Sequence, residues 1–335
     1  MTNQSPVPSF SPFQGRLTYG VGLAGILLFF AALSLSFFWV PGPLTQKKTI
    51  VIPHGVRTVE IGDRLAQEGA VYSAPLFLGS VKILGAKNLK AGEYEIPSRA
   101  TPLEIVRMIG EGRSVVRLFT VPEGLTSAEI TTLLEKDPVL TGEIEAPPED
   151  GSLWPETYRY SYGDSRASLI MRMEKAMQEK KEHLWSARAP DLPIQRIEEA
   201  LTLASLIEKE TSVPQERPKV AGVFYNRLAA PMRLQSDPTV IYALTEGRGS
   251  LGRELTHEDL AVSSPFNTYA RAGLPPHPIC NPGQASIEAA LHPAHHGYFY
   301  FVATGQGGHS FAADLPTQSH NINVWHRNKE AASPK

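Results

Sequence analysis

The feature that most constrains this chain is a run of 24 residues without a charge, residues 17–40 (LTYGVGLAGILLFFAALSLSFFWV). As a helix rising 1.5 Å per residue it would measure about 36 Å, enough to cross a hydrocarbon core of about 30 Å with some tilt. Tyr19 and Trp39 stand near its ends, where amphipathic rings favour the membrane interface. A cleaved signal peptide would have a shorter apolar core and a clear small-x-small cleavage site, which this run lacks. It reads as a single-pass transmembrane helix, preceded by a 1–16 tail and followed by the bulk of the chain. Arg16 flanks one end while Lys47 and Lys48 follow the other, so the positive-inside count leaves the orientation open.

The 335 residues suffice for this anchor and two modest domains. A formal net charge of −2 gives no bulk basicity for nucleic acid, and none is expected as a partner. Cys280 is the only cysteine, so no disulfide or thiolate cluster can form within one chain, and a lone cysteine of this kind is expected to be buried. Five of the 28 prolines lie between Pro265 and Pro282, which predicts fixed turns there.

Beyond the Pro41-Gly42-Pro43 linker, short strands alternate with short helices. Residues 49–52 are β-branched, Pro53-His54-Gly55 breaks the strand, and Thr58 is expected to cap a helix carrying Ile61 and Leu65. The unit recurs. Ile52-Pro53-His54-Gly55 precedes Glu60-Ile61, and Val121-Pro122-Glu123-Gly124 precedes Glu129-Ile130 at the same offset. Ile96-Pro97 with Glu104-Ile105 is a third copy without the glycine. Internal duplication and simple reuse of a common unit both remain open. Residues 136–155 read as a loop, 165–185 and 194–209 as helices, and the last residues as a frayed tail.

The helix ending in Leu206-Ile207-Glu208-Lys209-Glu210 is the most informative for chemistry. At about 100° per residue with Leu203 at zero, Ile207 falls at about 40°, Leu206 at about 300° and Glu210 at about 340°, whereas Glu208 falls at about 140°. Glu210 therefore stands within the apolar stripe, and only one of the two glutamates can face a given cleft. A carboxyl there loses hydration, its pKa rises, and it can serve as a general acid near neutral pH. The plainer alternative is a helix-end glutamate paired with Lys209 or Arg217.

Downstream lie polar side chains between rigid turns: Asn226-Arg227, Gln235-Ser236-Asp237, Ser263-Ser264 and Asn267-Thr268-Tyr269. Amides, hydroxyls and aromatic rings on such loops suit a sugar-binding cleft. His292, His295 and His296 lack the glutamate placement of zinc helices, and Pro293 would break the helix such motifs need. No metal or cofactor is expected. Neither a Gly-x-x-x-x-Gly-Lys loop nor a Gly-x-Ser-x-Gly elbow occurs.

At these residues the chain resembles the endolytic peptidoglycan transglycosylases of the MltG/YceG-like type. The resemblance rests on Ala204-Ser205-Leu206-Ile207-Glu208-Lys209-Glu210-Thr211, Val223-Phe224-Tyr225-Asn226-Arg227-Leu228 and Met232-Arg233-Leu234-Gln235-Ser236-Asp237-Pro238-Thr239. It extends to Gly273-Leu274-Pro275-Pro276 and Gly307-Gly308-His309-Ser310-Phe311, and, in the first half, to Trp154-Pro155-Glu156-Thr157-Tyr158. The resemblance implies an α+β chain: a cytoplasmic tail (1–16), a single N-terminal transmembrane helix (17–40) and a linker (41–48). A small LysM-like domain (49–119), a mixed α/β catalytic domain (120–326) and a frayed tail (327–335) follow. It places the bulk of the chain outside the cytoplasm, at the bacterial inner (cytoplasmic) membrane.

The resemblance further implies that Glu210 is the catalytic acid/base, cleaving MurNAc–GlcNAc bonds with closure of a 1,6-anhydro ring. Asn226, Gln235, Asp237, Ser263, Asn267 and Tyr269 are the candidate substrate-binding residues. The partners are peptidoglycan glycan strands, the cell membrane and, for a cutter beside growing strands, peptidoglycan synthases. Ser236 replaces a common threonine, and Ser264-Pro265-Phe266 precedes Asn267; neither departure is expected to touch the acid/base. Two rivals stand beside this reading. A lysozyme-like hydrolase would need a second carboxylate, from Asp237, Glu216 or Asp314. A wall-binding scaffold would need no acid at all.

Overall fold

The computed structural model describes residues 36–332. The expected anchor lies outside the described residues except for its last five, of which Phe37–Trp39 form a 3₁₀ turn. Among the described residues no helix is long and apolar enough to cross a membrane. The chain divides into two compact units: one comprises residues up to Val116 with Ser161–Gly163, the other Arg117–Tyr160 with residues from Asp164 onward.

In the first unit, β1 (Lys48–Ile52) and β2 (Gly92–Ile96) pair antiparallel, with Ile50 opposite Tyr94. A two-stranded ribbon is marginal in water, and here three helices supply its cover: α1 (Thr58–Gln67), α2 (Ala74–Leu84) and α3 (Pro102–Glu111). Strand alternation sends Ile50, Ile52, Tyr94 and Ile96 to one side, where they meet Leu65, Phe77, Ile105 and Ile109. The Tyr94 hydroxyl escapes an unpaired burial by donating to the Lys90 carbonyl at 2.8 Å.

The recurring strand–turn–helix unit is realised three times, with one shared backbone device. Gly55 (φ 78°) and Gly124 (φ 79°) occupy left-handed positions three residues after Ile52 and Val121. Three residues after Ile96, in the copy without glycine, Arg99 adopts the same conformation (φ 58°). The helices that follow all open with a capping box: Arg57 with Glu60, Thr101 with Glu104, Thr126 with Glu129. The first cap is therefore Arg57 rather than Thr58, because Glu60 accepts both the Arg57 amide (3.2 Å) and its Nε (2.8 Å).

The second unit joins β3 (Arg117–Thr120) to β4 (Thr157–Tyr160), and β5 (Tyr300–Ala303) to β6 (His309–Ala312), each pair antiparallel. Between them lie α4 (Ser127–Glu135), α5 (Arg166–Ser186), α6 (Ile197–Glu210), α7 (Arg217–Ala229), α8 (Asp237–Thr245) and α9 (Gln284–Leu291); α10 (Leu315–Ala332) closes the chain. The architecture is mixed α and β with small sheets. Helix α6 starts three residues later than the periodicity predicts, where Glu199 accepts the amides of Gln195 and Arg196. The tail expected to fray instead continues α10 to Ala332, which docks on β5 as Gln318 donates to the Phe301 carbonyl at 3.1 Å.

Helix α6 is the hub. Every residue from Ala200 to Ile207 is buried, with α5, α7, α8 and α9 packed around it. An all-round apolar surface is what a helix enclosed by others requires. The single stripe read from the wheel is thus one part of a fully buried surface. Buried Asn281 braces the neighbouring loops: its side-chain oxygen accepts the Gly151 and Leu153 amides, and its amide donates to the Leu125 carbonyl and Ser127 Oγ.

The left-handed turn yields a test. Nothing lies within 4 Å of a Cβ built at Gly55, so Gly55→Ala carries only the backbone penalty, about 1 kcal/mol. Its thermal midpoint should fall by a few degrees, whereas Arg99→Gly should leave the midpoint unchanged or raise it, as read by calorimetry.

Candidate active site

Glu210 is the last residue of α6, and Thr211 leaves the helix in an extended conformation. The residue keeps partial solvent access, yet its carboxyl is crowded by protein. Lost hydration is the main reason its pKa rises from 4.5 to about 7. A hydrogen bond donated by Ser236 Oγ opposes the rise, the Asp237 carboxylate adds to it, and the Arg227 guanidinium opposes it. Position at a helix C-terminus works in the same direction as burial, since that end disfavours negative charge.

Glu208 points elsewhere, as residues two apart on a helix must. It accepts the Gly283 amide at 3.0 Å and faces Arg217 at 3.5 Å. Arg217, one of the two cations offered by the sequence as a partner for Glu210, thus pairs with Glu208 instead. Lys209, between them, donates to the Gly124 carbonyl at 3.2 Å.

Ser236, expected from the sequence to stay clear of the acid/base, lies against it. Its hydroxyl donates directly to Glu210. Ser236 occupies the N-cap position of α8 but makes no side-chain cap, so a hydroxyl that would ordinarily satisfy a helix amide is diverted to the carboxyl. The diversion is held by a threonine pair: Thr268 Oγ1 accepts the Ser236 amide at 3.0 Å, and Thr239 Oγ1 donates to the Ser236 carbonyl at 2.6 Å. Gln235, just before, is exposed and left-handed at φ 51°, a strained setting for a non-glycine residue and one that recurs at functional sites.

The other candidates separate into two groups. Asp237 and Tyr269 lie near Glu210: the Tyr269 hydroxyl donates to Asp237, and burial pushes that hydroxyl's pKa upward. Asn226 and Asn267 are committed to backbone. Asn226 donates to the carbonyls of His296 and Tyr298, both at 2.8 Å. Asn267 donates to Leu260 and Val262 carbonyls and accepts the Tyr269 amide, so it shapes the loop that carries Tyr269. Ser263 is exposed on the same loop.

Arg227, which the sequence shows only as part of a polar stretch, has a structural role of its own. It is 7% exposed, donates through Nε to the Phe299 carbonyl at 2.7 Å and through an Nη to the Leu234 carbonyl, and lies over the Tyr300 ring. It thereby ties α7 to β5 and to the Ser236 segment. Of the carboxylates offered for a second catalytic acid, Asp237 is near Glu210. Glu216 is bound by His309 at 2.7 Å and Thr211 at 3.1 Å, and Asp314 accepts the Thr317 amide where α10 begins.

Comparison with known proteins places this geometry among relatives. The model of the YceG-like family matches residues 50–324. A Bacillus subtilis (strain 168) protein named endolytic murein transglycosylase is 30% identical over 306 residues, 81% of this chain and 82% of its own length. A Streptococcus pneumoniae (D39) protein of the same name is 29% identical over 325 residues; the match spans 82% of this chain but 57% of that protein. The crystal structure of a putative yceG-like protein from Listeria monocytogenes is 34% identical, with a TM-score of 0.50, covering 82% of this chain and 99% of that one.

Because the Glu210 pKa is raised by folding, the folded state holds this proton more tightly than the unfolded chain, whose carboxyl titrates near 4.5. Stability is therefore lost as pH rises from about 4.5 to about 7. Glu210→Gln should unfold at a higher temperature than the wild type at pH 8, with the gap closing by pH 4, in thermal melts across that range.

Proposed function

The chain belongs to the YceG-like family, and from that premise we propose that it is an endolytic murein transglycosylase. It cleaves MurNAc–GlcNAc bonds inside peptidoglycan glycan strands and leaves 1,6-anhydroMurNAc ends. The observation that carries this reading is a carboxyl with a pKa of about 7, beside a hydroxyl donor, at the end of a buried helix.

A group with that pKa is protonated in a large share of molecules at neutral pH and can serve as acid and then as base. Protonated Glu210 donates to the glycosidic oxygen, and the C1–O bond breaks as positive charge develops at C1 of the muramic acid. The 6-hydroxyl of the same sugar then attacks C1, and Glu210 takes its proton. One proton is given and one recovered, no water is consumed, and a single carboxylate suffices where a hydrolase uses two. Ser236 steadies the ionised form between the two transfers. Gln235, Tyr269 and Ser263 line the sugar path, and Asp237 orients Tyr269.

The remaining parts extend the same reading. Residues 49–119 act as a LysM-like module that holds the glycan, supported by their own core and capped helices. Residues 17–40 act as a single-pass anchor in the inner membrane, supported by their length and lack of charge, with the catalytic part outside the cytoplasm. A tethered cutter of this kind works beside peptidoglycan synthases and terminates nascent strands.

The full chain in detergent, incubated with uncrosslinked strands, should release internal fragments with anhydro ends by mass spectrometry. Glu210→Gln should lower the rate by at least about 100-fold. Products about 18 Da heavier, with reducing ends, would instead mean hydrolysis and give Asp237 the part of second carboxylate. Activity should decline as pH rises through about 7. Ser236→Ala removes a bond that favours ionisation, so the decline should move to higher pH, while Ser236→Thr should leave it in place.

A further inference from the structure

A cavity of about 330 Å³ lies on the Lys209 side of α6, bounded by α8 and the turn that starts α4. Pro238, Ile241, Tyr242 and Leu251 form its apolar walls, and Lys209 and Glu129 bring opposite charges to it. Two of its lining residues are chain neighbours of the acid/base pair Glu210 and Ser236. Lys209 adjoins Glu210 in α6. Pro238 stands two residues beyond Ser236, about 8 Å of chain at 3.8 Å per residue. The cavity is therefore joined to the Glu210 site along two elements, the end of α6 and the start of α8.

The polar groups there are only partly used. The exposed Lys209 ammonium makes a single bond, to the Gly124 carbonyl at 3.2 Å, and has donors to spare. One carboxylate oxygen of Glu129 accepts the Thr126 amide at 2.9 Å in the capping box. Arg253, also on the rim, is held at Asp259. An elongated ligand with aliphatic groups, carboxylates and an amine would match such a lining, whereas a bare pyranose offers neither charge nor aliphatic length.

We infer that this cavity seats the peptide carried by the muramic acid whose bond is cut at Glu210. The inference rests on the glycan-cleaving function proposed above. Muramic acid bears a lactyl carboxyl at O3, to which the peptide is joined, so the peptide leaves the sugar within reach of the reacting carbon. Lys209 meets a peptide carboxylate, Glu129 faces an amine, and the Pro238, Ile241 and Leu251 walls take the aliphatic parts. The site makes the enzyme selective for strands that still carry peptides, and Lys209 is a specificity residue rather than a catalytic one.

Two substrates separate the possibilities: uncrosslinked strands with their peptides, and the same strands stripped by an amidase. The full-length wild type should cleave peptide-bearing strands with kcat/KM about tenfold higher, the size of one charge-assisted hydrogen bond, and through KM. Lys209→Met and Lys209→Glu should erase most of that preference while cleaving stripped strands at the wild-type rate, which also shows that the variants fold. Equal cleavage of both substrates by the wild type, or an equal loss on both in the variants, overturns the inference and leaves the activity standing. Failure of the wild type on both substrates overturns the activity and the inference together.

Discussion

The enclosure of α6 is the constraint from which the rest of the second unit follows. A helix buried on all sides over two turns cannot end in a charged residue without a local arrangement to receive it. The chain meets that demand differently at its two terminal glutamates. Glu208 receives a cation and a backbone amide. Glu210 loses its hydration and has a second carboxylate nearby, which outweigh the one hydroxyl that it receives, so it holds its proton to about neutral pH. Packing and chemistry are one event here: the contacts that stabilise the helix also create the poor solvation that makes its last residue useful.

Around that helix, polar side chains are spent on backbone rather than on one another. Asn281, Asn226 and Asn267 each bind two or more main-chain groups of irregular loops. Buried loops must satisfy their amides and carbonyls without regular pairing, and asparagine supplies donor and acceptor in one small group. The result is a rigid frame of non-repetitive backbone, against which Asp237 and Tyr269 stand near Glu210. Arg227 joins the frame to the Ser236 segment through the Leu234 carbonyl.

Much was legible in the linear pattern. The β-branched run at 49–52, the left-handed glycines and the glutamates three residues into each helix predict the repeated unit from local rules alone. The apolar phase of Glu210 predicts its desolvation. Less legible were the roles of Ser236, Asn226 and Asn267. Ser236 precedes Asp-Pro at a helix start, the pattern of an ordinary cap, and nothing local reveals that its hydroxyl turns to a glutamate 26 positions away. The asparagines read as ligand-binding amides by type, and only the tertiary structure shows the loop carbonyls to which they also donate.

By itself the sequence determined the elements, the family and the placement of one glutamate on an apolar helix phase, since these depend on residues a few positions apart. It also set the uncharged length of residues 17–40. Only the tertiary structure decided which polar atoms meet: Arg217 with Glu208, Ser236 with Glu210, Tyr269 with Asp237. Those pairings join segments far apart in the chain, and a hydrogen bond is settled within a few tenths of an ångström. Periodicity resolves a face of a helix but not a distance of that kind.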